Sequence, residues 1–154
     1  MRIRANDRWR MVCWREDRGS TLIEFALISF MFVIVLAGVV EMGRMVLVYN
    51  TIANAAREGT RYAIVHGADQ TVSPSGPGNP CTCTNVKTVV TNFASAGLVN
   101  TSAMTITVSY PNGDNNAGSP VTVKVLYTYD PFVNFFSSIL NKTLGSTSEG
   151  VITY

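Results

Sequence analysis

Residues 18–44 read RGSTLIEFALISFMFVIVLAGVVEMGR, and this stretch decides what the chain is built around. From 25 to 40 it carries no charge and a single hydroxyl, Ser29. With Thr21, Leu22 and Ile23 added, the run approaches the roughly 20 residues a helix needs to cross a hydrocarbon layer of about 30 Å. One charge, Glu24, interrupts it. A secretory signal peptide would share the basic start and the apolar run, but it would end in small residues at a cleavage site and a helix break. Here the chain continues from 41 to 65 as EMGRMVLVYNTIANAAREGTRYAIV without a proline. The apolar segment is therefore expected to be the first part of a longer helix, and the polypeptide to keep its anchor.

The charge pattern gives this anchor a direction. Within residues 1–19, Arg2, Arg4, Arg8, Arg10, Arg15 and Arg18 outweigh Asp7, Glu16 and Asp17. Such an excess of cations holds its end of a span on the cytoplasmic side. The expected location is the inner membrane, single-pass, with the C-terminal part outside the cytoplasm. Over all 154 residues the net charge is only +2, 14% of residues are charged and the mean hydropathy is +0.20. Basicity is thus local, which argues against a nucleic-acid surface on the folded part. The length suits one domain plus a helix.

Three zones follow: a polar leader over 1–19, a helix over 20–65, and a small domain over 66–154. At 1.5 Å per residue that helix is roughly 69 Å long, more than twice the hydrocarbon thickness. About 21–40 would cross the membrane and 41–65 would extend beyond it. In the extension Met45, Val48, Ile52, Ala55, Ala56 and Ile64 form an apolar stripe that needs something to pack on. His66-Gly67 ends the helix, and a Pro/Gly/Ser/Thr-rich connector follows over 70–85. Residues 85–98 place Val86, Val89, Val90, Phe93 and Leu98 on one side, with Gly97 as the stop, and so predict a second helix. Met104, Ile106, Val108 and Tyr110 alternate with polar residues, as do Val121, Val123, Val125, Tyr127 and Tyr129. Alternation of this kind predicts two half-buried strands, joined by the turn-rich PNGDNNAGSP at 111–120. Phe132, Phe135, Phe136, Ile139 and Leu140 recur at helical spacing, and 144–154 would supply a third strand. The expected class is α+β: a long N-terminal transmembrane helix extending into a small antiparallel sheet domain.

A carboxylate near the end of an apolar helix is expensive to leave unpaired, so Glu24 calls for a functional reason. The order around it is basic leader, Gly19, Ser20-Thr21-Leu22-Ile23, Glu24, then the uncharged run. It resembles the processing site of type IV prepilins, in which a membrane aspartyl peptidase cuts after a glycine and glutamate is the fifth mature residue. Counted from Ser20, Glu24 is that residue. The resemblance implies cleavage between Gly19 and Ser20, and a cationic amine on Ser20 able to pair with Glu24 of a neighbouring subunit.

A second resemblance lies in Asn54-Ala55-Ala56-Arg57-Glu58-Gly59-Thr60-Arg61-Tyr62-Ala63, preceded by Glu41-Met42-Gly43-Arg44. These segments are similar to those of TadE/TadG-like proteins of Flp (tight-adherence) pilus systems. The two resemblances cover about 18–65. They imply a minor pseudopilin that helps assemble a type IVb pilus. Its partners would be a prepilin peptidase, other pilins or pseudopilins in homo- or hetero-oligomers, inner-membrane assembly proteins and membrane lipid, with no nucleic acid. Rival readings are a type II secretion pseudopilin, a structural pilin, or an unprocessed membrane-tethered binding module.

The remaining polar residues have simpler readings. Glu58 and Arg61 can pair at i,i+3, whereas Arg57 and Arg61 crowd at i,i+4. Glu41 and Arg44 are expected to anchor the helix at the interface. Cys13 lies in the leader, while Cys81 and Cys83 could form a local disulfide in an oxidising compartment. No zinc constellation is expected, since His66 is the only histidine and there is no second cysteine pair. With no Gly-x-Ser-x-Gly elbow, phosphate loop or paired carboxylates, neither catalysis nor a cofactor is expected.

Overall fold

A computed structural model describes residues 17–68, 75–76, 83–97, 99–133 and 137–153. Within them the chain runs α1 (Asp17–Val65), α2 (Thr84–Ala96), a short 3-10 turn (Thr101–Ala103), β1 (Met104–Ser109), β2 (Pro120–Thr128), α3 (Ser137–Leu140) and β3 (Thr143–Val151). It divides into two units, Met1–Val39 and Val40–Tyr154. In the first, the described residues belong wholly to α1, whose described part includes Asp17 and Arg18 of the stretch expected to be leader. From Gly19 the helix is long and apolar enough to cross a membrane, and among the described residues none of its most apolar window is buried.

In the second unit the strands form an antiparallel meander, β1-β2-β3. Val108 lies opposite Val123, and Val123 opposite Ser148, so the alternation read from the sequence sets the register. Val121, Val123, Val125 and Tyr127 are buried along β2. They meet Ile52, Ala55, Ala56 and Ala63 of α1 and Val86, Val90 and Ala94 of α2 in one core. The i, i+4, i+8 spacing of the three α2 residues explains why that segment is an amphipathic helix. The α+β architecture with a three-stranded antiparallel sheet is as expected from the sequence.

Glycines allow these layers to approach closely. A Cβ at Gly59 would collide with Val90 Cγ2, and one at Gly97 with Thr51 Cγ2. Gly97 has φ of −84°, so its role is the close passage of α2 over α1, not the left-handed turn that often ends a helix. The tail closes the C-terminal end of α1: the Thr153 amide and hydroxyl both donate to the Ile64 carbonyl, at 3.0 and 3.2 Å. The Ser75 amide donates to His66 O at 2.8 Å. These bonds satisfy carbonyls that a helix end leaves without intrahelical partners.

Of the helical spacing read from Phe132 onward, the described residues show the single turn of α3, Ser137–Leu140. Pro131 precedes it, and Phe132 and Val133 lie in a bend. Phe135 and Phe136 lie outside the described residues, as do Leu98, Tyr154 and the leader up to Glu16.

Candidate functional site

The residues singled out at the start of α1 share one property: they are solvent-exposed. Gly19, Ser20 and Glu24 all lie in helical backbone and all are exposed. A Cβ at Gly19 would have nothing within 4 Å. Packing among the described residues therefore gives no reason for glycine there, although glycine costs a helix interior about 1 kcal/mol relative to alanine. The face that follows is apolar and uncovered, with Leu22, Phe25, Ile28 and Phe32 among its exposed side chains. The arrangement offers an accessible peptide bond and a free carboxylate at the head of an apolar rod.

The second motif divides by face. Ala55, Ala56, Gly59, Thr60 and Ala63 turn inward and are buried. Their small size gives α1 a flat surface on which α2 and the sheet rest. Thr60 is satisfied by donating to Ala56 O at 2.9 Å, and its hydroxyl also reaches Ser148 O at 3.3 Å. Asn54, Arg57 and Arg61 turn outward. Arg57 reaches Asn54 Oδ1 at 3.5 Å, and Arg61 pairs with Glu58 at 3.7 Å. Exposed pairs of this kind contribute little to stability. The Tyr62 ring stacks on His66, with centroids 3.9 Å apart.

Glu41 and Arg44 do more than the sequence suggests. Glu41 is 3% exposed. Its Oε1 accepts from the Tyr129 hydroxyl at 2.5 Å and from the Phe132 amide at 3.2 Å. One turn on, Arg44 Nη2 donates to Asp130 O at 2.6 Å, and its guanidinium carbon lies 5.1 Å from the Tyr129 ring centroid. Glu41 is thus buried and Arg44 half-buried, and both hold the chain that leaves β2. Burial, reinforced by the hydrogen bond to Glu41, pushes the Tyr129 phenol up to about 12, with Arg44 opposing. Tyr129, Asp130 and Phe132 are the partners that sequence reasoning missed. The signal was present but faint: two opposite charges three residues apart directly after an uncharged run.

By contrast Gly43 is exposed, and a Cβ there would have nothing within 4 Å. Cys83 is disulfide-bonded, buried, and sits at φ 35° as the N-cap of α2. Its expected partner, Cys81, lies outside the described residues. Among the described residues no three His, Cys, Asp or Glu side chains are grouped to hold a metal.

No curated protein and no solved structure matches the chain. A family model does, described as TadE-like protein, over residues 19–61. The matched span begins at the glycine of the processing motif, contains Glu24, Glu41 and Arg44, and ends at Arg61. The helical segment that carries both motifs is TadE-like.

Proposed function

We propose that the chain is a minor pseudopilin-like subunit, cut by a prepilin peptidase between Gly19 and Ser20, that acts in assembling a type IVb Flp (Tad) pilus. The TadE-like match points to a Tad pilus-associated protein. The observation that carries the finer reading is Gly19. It is exposed and helical, and among the described residues no neighbour would exclude a side chain there. A glycine that its own fold does not require is explained when a peptidase must recognise it.

Glu24 supports the same reading. It is exposed on α1, at the head of the uncharged run. In a membrane, an isolated carboxylate at that depth is costly unless it meets a cation. Cleavage after Gly19 supplies one, the Ser20 amine of an adjacent subunit, and the pairing fixes the axial register of helices that apolar packing alone lets slide. The role is structural, not enzymatic. On this reading α1 spans the inner membrane with its N-terminus in the cytoplasm, and the unit from Val40 onward lies outside it.

Substitution separates the two steps. Gly19→Ala is expected to leave the unprocessed chain in the membrane fraction. Glu24→Ala is expected to be cut normally but to enter the pilus assembly poorly, read as loss of co-purification with the other subunits. Normal assembly by Glu24→Ala contradicts the charge pairing.

A further inference from the structure

The chain leaving β2 is fastened to α1 at three points. Glu41 Oε1 accepts from Tyr129 Oη at 2.5 Å and from Phe132 N at 3.2 Å, while Arg44 Nη2 donates to Asp130 O at 2.6 Å. A segment held this firmly would ordinarily tuck its aromatic residue into the core. Instead the Phe132 side chain is 86% exposed, the highest value among the large apolar side chains of the described residues. The bonds that fix its backbone also fix its height, because Phe132 N touches the side chain of Glu41, the first residue after the uncharged run 25–40.

We propose that the segment 130–132 is a lipid-contacting foot, in which the Phe132 ring enters the bilayer interface beside α1. This rests on the reading of α1 as a membrane span. Three observations select a lipid surface as the occupant. Apolar exposure persists past Glu41 on α1 itself, where Met42, Val46 and Leu47 are exposed. Of the charges at this level, Glu41 is buried against Tyr129 and Phe132, Arg44 is half-buried with its guanidinium bound to Asp130 O, and the Asp130 side chain is exposed. Lys142 accepts the Tyr129 amide on its carbonyl at 3.0 Å, which brings an exposed cation to the same end of the sheet, where lipid phosphates favour it. Aromatic side chains at this level mark the membrane–water boundary.

The foot gives the Glu41–Tyr129 pin a purpose beyond stability. A domain joined to its span only by a helix can tilt with that helix, whereas one that also rests an aromatic ring on the bilayer is held at a fixed height. Such a subunit presents the rest of its surface to partners at a constant distance from the membrane.

The test uses the full chain reconstituted in vesicles of zwitterionic and anionic phospholipid, with Trp9 and Trp14 replaced by Phe. Single tryptophans are then placed by Phe132→Trp, by Val33→Trp in the span, and by Val151→Trp. The last follows Gly150, whose Cβ would meet Ile64 near the far end of α1. Emission is read against lipids brominated in the acyl chains and against aqueous iodide. Expected are blue-shifted emission and loss to brominated lipid at 33 and at 132, with 151 quenched by iodide alone. Quenching by brominated lipid at 33 but not 132 overturns the foot and leaves the span. Absence at both overturns the foot together with the span, and equal quenching at 151 overturns the foot as a specific contact.

Discussion

The Tyr129 hydroxyl donates to Glu41 Oε1 at 2.5 Å, joining residues 88 apart in the sequence. This bond ties the end of β2 to the first charged residue after the apolar run. Both groups are buried, so each depends on the other for its hydrogen bond.

Tyr129→Phe removes the donor while keeping the ring beneath Arg44. A hydrogen bond to a charged group contributes about 1.5–3 kcal/mol, and a loss of that order is expected. Chemical denaturation of the detergent-solubilised chain, followed by circular dichroism, measures it. Glu41→Gln, which keeps an acceptor, should lose less than Glu41→Ala. Equal losses would mean that the carboxylate packs without accepting.

Alkaline pH should weaken the second unit. The Tyr129 phenol is raised from 10.0 to about 12, and burial raises that of Tyr110 as well, with its bond to Ser75 opposing. The unfolded chain therefore gives up these protons at lower pH than the folded one. Their contribution is complete below pH 10 and is lost as pH rises toward 12. For Tyr129 the difference corresponds to on the order of 2–3 kcal/mol. Tyr129→Phe should flatten the decline measured between these limits, and an unchanged slope would place its cause elsewhere.

Two glycines of the TadE-like segment should respond in opposite ways. A Cβ at Gly59 would strike Val90 Cγ2, so Gly59→Ala forces α2 or the sheet to shift, and overpacking of this kind costs about 1–3 kcal/mol. At Gly43 a Cβ meets nothing. Gly43→Ala should leave the melting temperature unchanged or raise it, since alanine is the better helix former by up to about 1 kcal/mol. Thermal melts of the two variants side by side decide the matter.

Much of this arrangement is legible from residue order. The uncharged run, the unbroken pattern to Val65 and the alternation at 104–110 and 121–129 give α1, β1 and β2 directly, because each repeats one local rule over many residues. β3 is harder to read. Its inward residues are Leu144, Ser146, Ser148 and Gly150, half-buried and mostly small, because the strand passes close over Thr60 and Ile64. Small polar residues carry almost no hydrophobic period. The pin from Glu41 and Arg44 to 129–132 is illegible for a different reason: it is a long-range match between single residues, and nothing near Glu41 in the sequence specifies its partner. Exposure at Gly19 and Glu24 is the reverse case, since an apolar run with nothing to cover it within the chain already predicts that its head is uncovered.

Processing after Gly19 is tested most directly at the N-terminus of the mature protein. The chain is recovered from membranes of cells that contain an active prepilin peptidase, and its first residues are read by Edman degradation or mass spectrometry. A mature chain beginning Ser20-Thr21-Leu22-Ile23-Glu24 is the predicted result. A chain that still carries Arg18 and Gly19 would contradict the account and favour a membrane-tethered module that no peptidase cuts.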